Sequence, residues 1–221
     1  MKPIKFISPE EYRKIFLAEK DREMRLFMIL GFGAGMRMSE IIGLPRKVSL
    51  CCKAPVEYKT IYDENRRRKI KNYHCTKCMK PLTVKEFRYS GEGWEIPPLT
   101  PDRVDLKTHQ IKIDQAKGNK WRITGTPPAL SEEYVKMLPL KLNRRTVQDR
   151  FGKLTLKVLG RKLSPHVLRH GFGNFTANIA KLPIPTIQGM MGHSRIDITG
   201  IYTKANPEDS VALLWKAMGG E

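Results

Sequence analysis

The chain has 221 residues, enough for one core of ordinary size or two small ones. Lys and Arg number 41 against 22 acids, a formal net charge of +19, and so basic a surface repels itself unless a polyanion neutralises it. That points to nucleic acid ahead of a merely lysine-rich surface. No apolar run of about 18 residues occurs, and Met1 to Phe6 lacks a signal-peptide core. The composition therefore argues against a membrane span and export. The chain is expected in the cytoplasm, where its four cysteines would be free or metal-bound rather than paired.

In chain order, Ser8-Pro9-Glu10-Glu11 reads as a capping box with proline in the first helical position, and Tyr12, Ile15 and Phe16 then share one face. A second helix is expected from Arg22 to about Phe32, broken by Gly31, Gly33 and Gly35. No strand precedes these glycines, so they read as a turn rather than a nucleotide loop. A short helix follows from Ser39, carrying Ile41 and Ile42. Residues 45–98 then change character, being rich in Lys and Arg, poor in helical periodicity and home to all four cysteines. They are expected to form an insertion or small subdomain within one domain spanning 1–221. Val104 to Ile113 alternates like a strand, and Gly118-Asn119 can turn it into Trp121-Arg122-Ile123. From Ser131 onward the pattern is helices punctuated by Pro and Gly. The expected fold is mainly α (α+β by a loose count), with a small antiparallel sheet.

Two clusters can carry chemistry. In Ser164-Pro165-His166-Val167-Leu168-Arg169-His170, Ser-Pro starts a helix and places His166 and Arg169 on one face of its first turn. A helix N-terminus favours an anion, and an arginine fork beside it can hold two phosphate oxygens. The same field keeps His166 neutral and able to accept a proton. The alternative is a surface helix with ordinary basic residues. The second cluster is Gly189-Met190-Met191-Gly192-His193-Ser194, followed by Tyr202. Gly192 can end a helix in the left-handed conformation and Ser194 can cap the next. Gly200 weakens that next helix, which suggests a mobile tyrosine segment. Taken alone, Tyr202 reads as a partly buried core tyrosine rather than a nucleophile.

The ordered set Gly35-Met36-Arg37-Met38-Ser39-Glu40, His166-x-x-Arg169, Gly192-His193 and Ile201-Tyr202-Thr203 resembles the tyrosine recombinase family, which includes phage integrases and the Xer proteins. Ala116-Lys117-Gly118-Asn119-Lys120-Trp121-Arg122 looks like that family's lysine-bearing β-hairpin. The resemblance implies that Arg37 and Arg169 bind the scissile phosphate and that Tyr202 is the nucleophile forming a 3′-phosphotyrosyl bond to double-stranded DNA. It implies further that Lys117 protonates the leaving 5′-oxygen, His166 helps take the tyrosine proton, and His193 donates to the phosphate. On the same resemblance Glu40 would help hold the site together and His170 would serve structurally. Catalysis would need no cofactor, and assemblies on DNA would be tetramers of subunits that are monomers when free. The family usually carries an N-terminal DNA-clamping domain, whereas this chain starts almost at the catalytic part, as a fragment or a naturally short enzyme would.

The insertion departs from simple family members. Cys75-x-x-Cys78 is a good zinc knuckle, but its partners Cys51 and Cys52 are adjacent. Structural zinc on Cys51, Cys52, Cys75 and Cys78, a set in which His74 replaces one of the first pair, and free thiols all stay open. The basic run Arg66-Arg67-Arg68-Lys69 either contacts DNA backbone or is a solvated loop. Leu213, Leu214 and Trp215 belong to an amphipathic helix that docks on a neighbouring subunit or on its own core. Rival functions are type IB topoisomerase relaxation, a DNA-binding protein without cleavage, and a zinc-ribbon adaptor.

Overall fold

The computed structural model describes residues 6–63, 68–116 and 120–192. Helix α1 (Pro9–Ala18) starts as its capping box requires: the Ser8 hydroxyl accepts the Glu11 N–H, and the Glu11 carboxylate accepts the Ser8 N–H, both at 3.2 Å. Ile15 is fully buried, and the Tyr12 ring stacks on Phe32 with centroids 4.2 Å apart. Helix α2 (Arg22–Met28) is capped by Asp21 and runs on into a π-helical turn at Ile29–Gly33. Gly31 and Gly33 therefore do not break the helix, as the sequence suggested. They let neighbours approach: an added Cβ would lie 3.1 Å from the Leu168 side chain at Gly31 and 2.5 Å from Pro127 at Gly33. The break comes at Gly35, where φ is +62° and a Cβ would fall 2.4 Å from the Phe172 ring.

After the short helix α3 (Met38–Ile41), strand β1 (Leu44–Ser49) pairs antiparallel with β5 (Phe87–Ile96), with Leu44 opposite Ile96. The chain between them thus leaves and returns at one place. It contains β2 (Val56–Asp63), β3 (Arg68–Cys75) and β4 (Pro81–Leu82), an antiparallel sheet in the order β2-β3-β4. A third sheet joins β6 (Val104–Asp105), β7 (Gln110–Ala116) and β8 (Lys120–Gly125) in order. The predicted hairpin is present on both sides of Gly118-Asn119, which lie outside the described residues, as do Arg66 and Arg67. The remaining helices are α4 (Glu132–Val135), α5 (Arg144–Leu159), α6 (His166–Asn174) and α7 (Ile184–Met191).

Eight strands in three antiparallel sheets thus stand beside the helices among the described residues, so the fold is α+β rather than mainly α with one small sheet. The strands in 45–98 escape a search for alternation because little of them faces a core. Tyr58, Ile61, Tyr62, Tyr89 and Trp94 are exposed, and among the described residues between Ser49 and Ile96 the buried hydrophobic ones are Cys75 and Leu82. Their β-branched and aromatic content is the better signal.

The main core is built elsewhere. Phe27 and Leu30 belong to one buried cluster with Phe151 of α5, Leu168 of α6, and Ile111 and Ile113 of β7. Ion pairs from Arg150 to Glu19 (3.5 Å) and Asp21 (3.3 Å), and from Arg161 to Glu11 (2.6 Å), bind α5 and the turn after it to the N-terminal helices. Among the described residues no helix is long and apolar enough to cross a membrane.

Candidate active site

Helix α7 ends where the sequence places its stop, at Gly192, with φ 62° and ψ 47°. The last carbonyls of a helix lack intrahelical donors and carry partial negative charge. Here they meet arginines from distant parts of the chain. Arg122 Nε of β8 donates to the Met190 carbonyl at 2.8 Å, Arg169 Nη2 of α6 to the Met191 carbonyl, and Arg37 Nη2 to the Gly192 carbonyl at 2.8 Å. Gly192 is required twice over, because a Cβ there would also lie 2.8 Å from Arg122 Cδ.

Beneath this cluster lies Glu40, buried and fully engaged. Its two oxygens each accept from one Arg122 terminal nitrogen at 2.7 Å. Oε1 also accepts from Arg37 Nη1 at 2.8 Å, and Oε2 from the Arg37 backbone N–H at 2.7 Å. Burial by itself would raise the Glu40 pKa. The Arg122 hydrogen bonds and charge, and then Arg37, overcome it and hold the carboxyl at about 2. Arg169, also buried, donates from Nη1 to the Gly35 carbonyl, which the left-handed turn at Gly35 aims toward it. Both guanidiniums that the sequence singled out are therefore fixed by backbone acceptors before any ligand arrives.

Arg37, Arg169 and His166 line one cleft of about 310 Å³, with Ser39, Arg144 and Gln148 on its walls. The reading of His166 and Arg169 as neighbours on one face of the first helical turn holds. The side-chain cap expected from Ser164 is replaced: α6 begins at His166 after Pro165, without a capping side chain, and the Ser164 carbonyl accepts the Val167 N–H instead. Burial, then the charges of Arg169 and Arg37, lower the His166 pKa and favour the neutral ring. His170 meets His166 edge to face, with ring centroids 4.5 Å apart. Its pKa falls to about 4 through burial and the charges of His166 and Arg169.

A group whose folded pKa lies below its unfolded value stabilises the fold fully above the unfolded pKa and loses that contribution as pH falls. For His170 the window runs from the ordinary 6.5 down through about 4. Thermal melts across that range should show His170→Gln losing less stability on acidification than the wild type. Parallel curves would show that the ring titrates normally.

Lys117, His193 and Tyr202 lie outside the described residues, as do Gly200, Leu213, Leu214 and Trp215. Lys117 follows Ala116, which pairs with Lys120 across the hairpin, and His193 follows the braced Gly192. The sequence reading missed the parts played by Arg122 and Arg144. Arg122 stood inside the hairpin motif already quoted, but only its contact with Glu40 shows its use. Arg144 follows Asn143, whose side chain caps α5, so it sits at a helix N-terminus facing the cleft.

Comparison with known proteins shows what the chain is similar to. Residues 139–209 match the phage integrase family. A tyrosine recombinase XerC-like protein of Caldanaerobacter subterraneus subsp. tengcongensis is 25% identical over 219 residues, covering 93% of this chain and 51% of that protein. The chain thus spans about half the length of that relative. Among solved structures, the XerA recombinase superposes with a TM-score of 0.55 at 18% identity, covering 100% of this chain and 67% of that one. The catalytic domain of bacteriophage HP1 integrase gives 0.52 at 17% identity, covering 95% and 94%. At such identities the structural likeness establishes the fold alone. By sequence match and by fold the chain is thus similar to the tyrosine recombinase family, and the order of its arginine and histidine positions is consistent with that likeness.

Proposed function

We propose that this chain is the catalytic domain of a site-specific recombinase that cuts and rejoins double-stranded DNA through Tyr202. The observation that carries the reading is the convergence of Arg37, Arg169 and His166 on one cleft, with both guanidiniums braced by backbone carbonyls. A phosphodiester is an anion, so an incoming phenolate is repelled until cations offset the charge. Two fixed guanidiniums do this without reorganising during the reaction. Tyrosine, with an ordinary pKa near 10, is a weak nucleophile at neutral pH. A neutral His166 at the same cleft can take its proton.

In the proposed step the Tyr202 oxygen forms a bond to phosphorus as the bond to the 5′-oxygen breaks, and Lys117 supplies the proton to that oxygen. His193 donates to a phosphate oxygen. The 5′-hydroxyl of a partner strand then attacks the phosphotyrosine and releases the tyrosine, so rejoining consumes no nucleotide. The net charge of +19 supports DNA as the partner. Exchange between two duplexes calls for a tetramer on DNA, and the cytoplasm is the expected compartment.

The decisive experiment mixes the protein with a nicked duplex carrying a candidate site, denatures it and looks for a protein–DNA adduct. An adduct present in the wild type and absent in Tyr202→Phe is expected. Tight, salt-dependent binding without any adduct would favour a DNA-binding protein that does not cleave. Relaxation of supercoils without exchange between marked sites would favour topoisomerase action.

A further inference from the structure

The stretch between β1 and β5 has almost no core, yet it holds a defined fold. Its ring contacts, Tyr58 with Tyr73 at 5.6 Å and Tyr73 with Phe87 at 4.8 Å, involve side chains that are at best partly covered. So small a unit needs a staple. The four cysteines stand where one would sit. Cys51, Cys52, Cys75 and Cys78 have their sulfurs all within 4.8 Å of one another, and the Cys51 and Cys78 sulfurs are 3.6 Å apart. None is in a disulfide. A tetrahedral zinc with bonds of about 2.3 Å places its sulfurs about 3.8 Å apart, so a slight contraction of this cluster suffices.

The adjacency of Cys51 and Cys52, which makes the sequence pattern irregular, has a structural explanation. The turn after β1 and the turn after β3 have matching backbones. Lys53 N–H donates to the Ser49 carbonyl at 3.1 Å, as Met79 N–H does to the Cys75 carbonyl at 2.9 Å. Ser49 N–H donates to the Ala54 carbonyl at 2.9 Å, as Cys75 N–H does to the Lys80 carbonyl at 3.0 Å. Lys53 and Met79 both adopt left-handed φ, 52° and 57°. In this correspondence Cys52 matches Cys78, and Ser49 occupies the position of Cys75. The first turn thus has the backbone of a knuckle with serine at its leading position, and Cys51, one residue before Cys52, brings a fourth sulfur to the group. Ser49 is buried, and its hydroxyl lies 3.3 Å from Cys75 Sγ and 3.2 Å from the Ala54 carbonyl, so its one proton is within reach of the sulfur. A donor to sulfur orients a ligand and favours its thiolate form. His74 is not part of this group: its Nε2 lies 3.8 Å from Glu57 Oε2.

We propose that Cys51, Cys52, Cys75 and Cys78 bind one structural zinc ion that joins two matched turns, with Ser49 as a hydrogen-bonding substitute for the displaced ligand. The site is closed, with four protein sulfurs and no open position, so its role is to hold the β2-β3-β4 sheet rather than to activate water.

The test is metal analysis of the purified chain by mass spectrometry, together with cobalt substitution. About one equivalent of zinc should survive dialysis, and cobalt should give the absorption of a tetrahedral four-thiolate site. Cys52→Ser and Cys78→Ser should each lose most of the metal, and so should Cys51→Ser. The discriminating variant is the double change Ser49→Cys with Cys51→Ser, which restores a regular Cys-x-x-Cys in the first turn and should recover the metal. Circular dichroism confirms that the helical core, which lies outside this segment, stays folded in each variant. Metal-free wild type with four thiols reacting in the folded protein would overturn the proposal. So would full metal content in Cys51→Ser, or failure of the double variant to recover it while the helical core remains folded.

Discussion

Arg122→Ala is expected to destabilise the protein by about 3–5 kcal/mol, because it leaves Glu40 buried without its main partner. For a chain of this size each kcal/mol lowers Tm by about 2–4 °C, so calorimetry resolves the effect easily. The pH dependence follows. In the wild type the Glu40 pKa is held at about 2, below its ordinary 4.5, so its contribution is complete above 4.5 and is lost as pH falls through about 2. Without Arg122 burial dominates and the carboxyl pKa rises, so protonation relieves the penalty. The gap in stability between wild type and variant should therefore narrow on acidification. The double change Glu40→Leu with Arg122→Met removes both charges and should recover much of the stability. It should not recover DNA cleavage, since Arg37 loses the carboxylate that holds its guanidinium and its N–H. An Arg122→Ala protein that melts within about 1 kcal/mol of wild type would mean that the pair contributes little to the fold.

On the proposed chemistry, Arg169→Lys should slow single-turnover cleavage of a nicked duplex by about 10²–10³-fold, the usual cost of removing one preorganised donor from a developing anion. Lysine keeps the charge but cannot span the Gly35 and Met191 carbonyls while also presenting a planar fork to phosphate. Each carbonyl left without a partner costs about 1–3 kcal/mol, so the assay belongs well below the variant's melting temperature. DNA affinity should change far less than the rate, because many phosphates share the binding. A lysine variant that cleaves at the wild-type rate would remove Arg169 from the chemistry and leave it a brace for α7.

The local elements were legible where one residue type has one strong use. Ser8-Pro9-Glu10-Glu11 starts a helix because its own side chains satisfy its own N–H groups. Gly192 ends α7 because the left-handed turn there is cheap for glycine. The pairing of His166 with Arg169 follows from helical spacing, and the β7–β8 hairpin from alternation around a turn signal. Residues 45–98 did not announce their strands, because a ribbon exposed on both faces has no buried side to impose a period of two.

By itself, then, the sequence determined the cap of α1, the stop of α7 at Gly192, the β7–β8 hairpin, the order of the chemical residues and the basic charge that suits a polyanion. What only the tertiary structure decided is how the arginines are held. Arg37, Arg122 and Arg169 come from separate elements, and Glu40 satisfies two of them at once, 82 positions away from Arg122. The carbonyls that fix them belong to the turn at Gly35 and to Met190, Met191 and Gly192, and the last three depend on where α7 ends in space. Side-chain identity carries no record of a backbone acceptor. That pairing arises only when packing brings a helix terminus against a buried charge, where an unmet carbonyl and an unpaired guanidinium would each be costly.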